Sequence, residues 1–433
     1  MLITSGATPA RFHSGVRWYV LGAVFFLAFI TIVDRVCISA AKSAMSRELR
    51  ISDLDFGAVF GAFALGYAVL MVPSGWLADK FGPRKFLTVT VALWSCFTLA
   101  TGIVRTLAPL IAVRFAFGMA EAGAFPTATR ALYNWFPIRE RGRALGLLNM
   151  GSRVGAAIGL PMMSLSVVEL GWRMSYYLLA GLGLLWATHW FLWFRDDPQS
   201  KSGVSISELA HIRDATASVA PKRPAAGANW SMFLSSRNFY LILYQYFASN
   251  FTFFICFTWL LPYTQDRYHL SPSNAGFYAS IPLYCGAFAT WFGGYCADAI
   301  FKRGHWKASR ALPAAFGFGL SALCLLVAGS LGTVQSFIAC FALATLGVDL
   351  AIAPSWALCS DVGKEYTGTL SGAMNMMGAL GSFASSLSFP YLLKITGAVQ
   401  TYFWLAAALN LLAILCWLGI RPDRPLIPER LES

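Results

Sequence analysis

Asp34 and Arg35 stand side by side in the otherwise apolar run FLAFITIVDRVCISAA, Phe26 to Ala41. Arg114 and Glu121 interrupt a second such run, and Arg153 follows Ser152 in a third. If these runs cross a bilayer, a charge near the centre is costly, and an intramembrane ionisable residue is a functional candidate by default. Two kinds of chemistry are open to them. Arginine presents a planar fork of donors that matches a carboxylate bidentately and stays charged in a low-dielectric site. A buried carboxyl group can be neutral in one conformation and charged in another, so Asp34 and Glu121 are candidate proton carriers.

The elements that must hold these charges are membrane helices. Of 433 residues, 57% are hydrophobic and only 12% charged, and the mean hydropathy is +0.59, which excludes an ordinary soluble domain. Apolar runs of about 20 residues, enough to span the hydrocarbon as a helix, recur about twelve times between Trp18 and Ile420. The alternating segments of about ten residues that build a closed barrel are missing. The expected fold class is therefore an all-α membrane protein.

The net charge of +13 is topological. Lys80, Arg84, Lys85, Arg139, Arg141, Arg143, Lys302 and Arg303 fall in loops on one side, whereas the other side has few cations, such as Lys42, Arg47 and Arg173. The positive-inside rule makes the rich side cytoplasmic, with both termini and the long middle loop inside. Nucleic acid is not an expected partner. His13, His189, His211, His269 and His305 are scattered, with neither an HExxH pattern nor a Ser/His pairing. The nine cysteines, Cys96, Cys256 and Cys324 among them, show no paired or metal-ligand spacing and read as small core residues. Neither an enzyme, a cofactor nor a metal is expected. The short polar N-terminus makes the first apolar span a retained helix.

Between Arg195 and Arg237 the chain turns polar, dividing the spans six and six. The expected organisation is an N-terminal bundle at 1–195, a cytoplasmic middle loop at 196–238 and a C-terminal bundle at 239–433. Landmarks recur in order. Gly75-Trp-Leu-Ala-Asp79 returns as Gly294-Tyr-Cys-Ala-Asp298, and Glu121 with Pro126 returns as Asp349 with Pro354. The segment Gly142 to Asn149 returns as Gly368 to Asn375. An even number of crossings per half makes the repeat parallel, as in bundles that rock about a site at their interface.

Helix rise places the charges in depth. Asp34 lies about 24 Å up its span, level with Arg114, which is followed about 10 Å deeper by Glu121. Asp34 and Arg35 diverge by about 100° around their helix, and one division sends Asp34 toward Arg114 and Arg35 toward a central cavity. Arg153 lies about 15 Å into its span, near the midplane. Its partner is either a second carboxylate on a substrate or Glu121. A purely structural ion-pair network is the alternative for all of these charges, although buried pairs add little net stability.

GWLADKFGPRK, Gly75 to Lys85, resembles the loop signature of the major facilitator superfamily, and the degenerate copy from Gly294 to Asp298 extends the likeness along the chain. Asp34-Arg35, RFAFGMAEAGAFP (Arg114 to Pro126), TWLLPY (Thr258 to Tyr263) and Gly368 to Asn375 resemble its anion:cation symporter branch. That branch includes bacterial sugar-acid transporters and the sialin and vesicular glutamate transporters. The resemblance implies twelve transmembrane helices in two six-helix bundles. It carries proton coupling to Asp34 and Glu121, and substrate-carboxylate contact to Arg35. Tyr67 matches a cavity tyrosine and Asn375 a substrate contact, with packing or an interhelical hydrogen bond as the plainer readings. Ser355 and Arg114 are further candidates for the anion site.

Two departures stand out. Ile32 replaces the tyrosine usual two residues before the Asp, and Ser152-Arg153 replaces a helix 5 glutamine. They point to a substrate less sugar-like than those of the best-known members. Asp79, Gly82 and Arg84 are expected to gate, by pairing with the neighbouring bundle in the outward-facing state. The function expected is proton-coupled uptake of an organic anion, a sugar acid or another carboxylate, by a monomer in the inner (plasma) membrane. The alternative is an organic-anion or drug exporter of the same fold, although a cationic drug would favour an acidic cavity over buried arginines.

Overall fold

The computed structural model describes residues 15–214, 230–363 and 366–422, and among them every regular element is helical. Hydrocarbon imposes this, because each backbone N–H and C=O must be satisfied within its own segment. Twelve long helices follow one another: α1 Val16–Leu49, α2 Asp53–Met71, α3 Lys80–Ile103, α4 Leu107–Trp135, α5 Ile138–Leu170, α6 Trp172–Trp193, α7 Arg237–Phe257, α8 Pro272–Lys302, α9 Trp306–Ala328, α10 Val334–Gly363, α11 Thr367–Thr396 and α12 Gln400–Gly419. Among the described residues, nine helices are long and apolar enough to cross a bilayer. The other three, α6, α8 and α11, are as long but dilute their apolar side chains with Gly, Ser, Tyr or Trp. Each expected span falls on a helix, and the chain is a multi-pass membrane protein.

Within the first half α1 packs on α5, α2 on α4 and α3 on α6; within the second, α7 packs on α11 and α12, and α10 on α8 and α9. Small residues let these backbones approach. Gly151, Gly155 and Gly159 of α5 lie one turn apart against Phe25, Phe29 and Val33 of α1, where a Cβ on Gly155 would come within 2.7 Å of the Phe29 carbonyl oxygen.

Three helices are interrupted. In α4 the break falls between Leu107–Glu121 and Ala124–Trp135, and in α10 between Val334–Leu350 and Ile352–Gly363. Pro126 and Pro354 explain both positions, since a proline lacks the N–H that would bond the carbonyl four residues back. The repeated acids, Glu121 and Asp349, thus sit at equivalent broken turns. In α7 a 3-10 turn, Ile255–Phe257, precedes the resumed helix Leu260–Tyr268, and the Thr258 carbonyl there accepts a hydrogen bond from Ser39 Oγ at 2.7 Å.

The halves meet through α2 against α11, α5 against α8, and α1 against the broken end of α7. On the face poor in Lys and Arg this seam is tight. Ser43 Oγ donates to Gln265 Oε1 at 3.1 Å, the Phe60 and Trp259 rings stand 5.2 Å apart, and Gly57 lies against Pro390 and the Ser386 carbonyl. Above it lies a vestibule of about 300 Å³ lined by Lys42, Asp53, Tyr263 and Asp266, among others. Arg153 makes a further link between the halves, to Asp349 and Thr290.

The middle segment carries a short helix, Ile206–Asp214, whose buried Glu208 accepts from the Val16 and Arg17 N–H groups at 3.3 and 3.2 Å. It thereby satisfies donors that the first turn of α1 leaves unpaired. All nine cysteines are free; Cys37, Cys256, Cys324 and Cys359 are core residues, whereas Cys96 faces outward, contrary to expectation.

Because a Cβ on Gly57 would press to within 2.8 Å of Pro390 and 2.9 Å of the Ser386 carbonyl, Gly57→Leu should prop the seam open. A cysteine placed at Ser39, which is fully buried here, should then react with a bulky water-soluble maleimide that leaves it untouched in the Gly57 parent. Equal protection in both backgrounds would refute this.

Candidate functional site

Arg35 projects from α1 toward the broken turn of α4, where its Nε donates to Glu121 Oε1. Glu121 is wholly buried, and the Arg35 side chain is 15% exposed. The ion pair is incomplete, since Arg35 Nη2 and Glu121 Oε2 are both buried without a partner among the described residues. The guanidinium also lies over Tyr67, its Cζ 4.7 Å from the ring centroid, and 5.3 Å from that of Phe63. Stacking and a single hydrogen bond together fix its plane.

The division expected for Asp34 and Arg114 is not what the structure shows. Asp34 does turn away from Arg35, into the body of the first half, but among the described residues both its oxygens lack a hydrogen-bond partner and no ion pair joins it to Arg114. Trp94 and Thr98 of α3 and Cys37 of α1 surround it. Arg114 instead stacks on Phe117, 4.6 Å away, and Phe63, 5.2 Å away, with its Nε unpartnered. Helix rise does not give the azimuth that would have closed the pair.

Arg153 corrects a second expectation. Its partner is not Glu121, which Arg35 already holds, but Asp349 of α10, with Nη1 to Oδ2 at 2.8 Å. Nη2 donates to Thr290 Oγ1 of α8 at 3.1 Å, and the Phe253 ring centroid lies 5.5 Å from its Cζ. All three partners belong to the other half. The signal that could have found Asp349 was the repeat itself, which makes it the counterpart of Glu121.

The remaining candidates divide. Ser152 is half-buried beside Arg153, its Oγ without a partner. Ser355 is buried just past the break in α10, and its hydroxyl is engaged with the Ala351 carbonyl at 2.7 Å and Gln245 Oε1 at 3.2 Å. Asn375 is half-buried on α11. Ile32 is buried, leaving an apolar side chain two residues before Asp34.

Gly82 turns the chain between α2 and α3 with φ 76°, a left-handed conformation that glycine adopts without strain. Arg84 is held within its own half. Its backbone N–H donates to Asp196 Oδ1 at 2.8 Å and its Nε to the Phe191 carbonyl at 2.9 Å. In this conformation it makes no contact of that kind with the neighbouring bundle. The side chain of Asp79 lies outside the described residues.

Two helical halves, broken helices carrying buried acids, and an arginine paired across the seam are the features of a membrane transporter rather than an enzyme. The sequence pattern of the Major Facilitator Superfamily matches residues 24–386, and the chain belongs to that family. It is 31% identical over 411 residues to the probable sulfoacetate transporter SauU of Cupriavidus necator, with 94% of each chain covered. It is 27% identical over 441 residues to the probable galactarate/D-glucarate transporter GudP of Escherichia coli, covering 97% of each. It is also 27% identical over 408 residues to the hexuronate transporter of Bacillus subtilis, covering 93% of this chain and 94% of that one. A bacterial homolog of the human lysosomal transporter Spinster, in an inward-facing and occupied conformation, shares the fold with a TM-score of 0.75 and 16% identity, covering 94% of this chain and 97% of that one.

Arg35 cannot be replaced by another cation without loss. Arg35→Lys keeps the charge but removes the planar fork and the ring stacking, and binding of an anionic ligand should weaken by about tenfold or more in a direct titration. Unchanged affinity would make Arg35 a structural residue.

Proposed function

We propose that the protein is a proton-coupled importer of small organic anions that works by alternating access. The observation that carries this reading is the Arg35–Glu121 pair. A largely buried fork of donors, 15% exposed, is held by one hydrogen bond to a buried acid, with an oxygen and a nitrogen left over among the described residues. An anion can take the guanidinium, and a proton can neutralise the acid that releases it. The relatives support the substrate class, since sulfoacetate, galactarate, D-glucarate and hexuronates are all organic anions.

With the basic face in the cytoplasm, both termini are cytoplasmic and the tight seam is on the outer side, so the conformation described is inward-facing. Tyr67, Arg114, Ser152, Arg153, Ser355 and Asn375 complete the proposed substrate site, and Asp34 is the second proton carrier. Asp79, Gly82 and Arg84 form the inner gate of the outward-facing state, in which Arg84 would exchange its contacts at the end of α6 for the opposite bundle. A monomer in the inner membrane contains everything this cycle needs.

Coupling has an electrostatic reason. An anion entering a cell moves against an inside-negative potential, where each charge is worth about 2.3 kcal/mol per 100 mV. Protons carried with it offset that cost.

The test is uptake into proteoliposomes of sulfoacetate, D-glucarate and D-galacturonate, with and without an inward proton gradient. Wild type should accumulate at least one of them only with the gradient. Glu121→Gln, which mimics the protonated acid, should keep exchange of that anion across the membrane but lose gradient-driven accumulation. Accumulation at the wild-type level in the variant would remove Glu121 from the coupling role, and exchange without accumulation in wild type would mark an antiporter.

A further inference from the structure

Asp349 plays no part in the cycle above, yet it pairs with Arg153 across the seam along which the halves must move. It is fully buried near the broken turn of α10. Its Oδ2 accepts one hydrogen bond from Arg153, and its Oδ1 is buried without a partner among the described residues. Gly286 of α8 makes the room, because a Cβ there would run into this carboxylate. Arg153 uses one further donor on Thr290, and its side chain remains 22% exposed. Most of the guanidinium N–H groups are therefore left for another acceptor.

An Arg and a carboxylate meet most strongly fork to fork, and this pair does not. A buried guanidinium nevertheless needs an anion beside it at all times, because an unpaired buried charge is strongly destabilising. We propose that Asp349 is the resident counter-ion of a second anion subsite at Arg153. It neutralises the guanidinium while the site is empty and yields it to the second anionic group of a doubly charged substrate, a dicarboxylate or a sulfonate that also bears a carboxylate. The proposal rests on the organic-anion reading given above and names the substrate class.

Giving up Arg153 leaves Asp349 beside the negative charge that displaced it. The side chains facing it are Arg153 from α5, Tyr246 and Cys256 from α7, and Thr290 from α8 next to the guanidinium. None but Arg153 is a cation. Asp349 therefore takes one proton from water as the substrate arrives; a carboxylate becomes a carboxylic acid and the added charge is balanced. A singly charged anion held at Arg35 leaves the Asp349–Arg153 pair intact. Substrate charge and proton count are in this way tied together at one residue.

The test is calorimetric titration of the purified full-length protein in buffers of different ionisation enthalpy, which counts protons taken up per anion bound. The probes are D-glucarate against D-gluconate and sulfoacetate against glycolate. In Asp349→Asn the dianion that wild type binds should bind about tenfold tighter, because its competitor is gone, and with one proton fewer. For the matched monoanion neither quantity should change. Equal proton counts in wild type and variant for the dianion, or equal shifts for both anions, would overturn the proposal while leaving the organic-anion reading intact. If wild type binds none of the four probes, both readings fall. Should Asp349→Asn not fold with Arg153 unpaired, the charge-neutral double variant Arg153→Gln/Asp349→Asn decides. It should lose both the preference for the dianion over the matched monoanion and the extra proton; retention of that proton would refute the assignment.

Discussion

A guanidinium buried in a bilayer is costly unless a negative charge lies close to it. At Arg35 and Arg153 that charge is supplied by one device used twice. Arg35 is held by Glu121 and Arg153 by Asp349, and the two acids occupy equivalent positions of the repeated halves, each beside a turn that a proline breaks. The two pairs differ in one mechanical respect. Arg35 and Glu121 lie in the same half and can move with it as a unit, whereas Arg153 and Asp349 lie in different halves and are strained by any motion between them. In both, an oxygen of the acid is left over. Pairs this incomplete suit a site whose occupant must be exchanged, since a fully satisfied fork would hold too well.

The rest of the architecture holds these pairs in place. Glycines spaced one turn apart on α5 bring it against α1, and Gly286 opens the space that Asp349 fills. The unwound turn in α7 supplies a carbonyl to Ser39 and so ties the halves together at the face poor in cations. Non-helical backbone at membrane depth is tolerated where protein covers it, as Thr258 is covered here.

Much of this was legible in the residues themselves. Segment length and apolarity located all twelve helices, although α6, α8 and α11 are polar or aromatic enough to fall short of a simple hydropathy test. The order of landmarks revealed the repeat, and the motif around Gly82 indicated a turn that the structure realises with φ 76°. What could not be read was which charge meets which. Rise per residue sets depth, but the direction of a side chain depends on how its helix is rotated against its neighbours. For that reason no ion pair joins Asp34 to Arg114 among the described residues, and Arg153 meets Asp349 rather than Glu121.

By itself the sequence determined that this chain crosses a membrane many times, that its halves repeat, and that arginines and acids interrupt its apolar helices. Those properties follow from composition and spacing along one chain, and they hold however the helices are arranged. Only the tertiary structure decided that Asp349 pairs with Arg153. Its partner lies 196 residues away on the opposite half, and nothing local to either residue encodes their meeting. Helix packing between the two halves does so, through small residues such as Gly286 that leave a carboxylate the room to reach across.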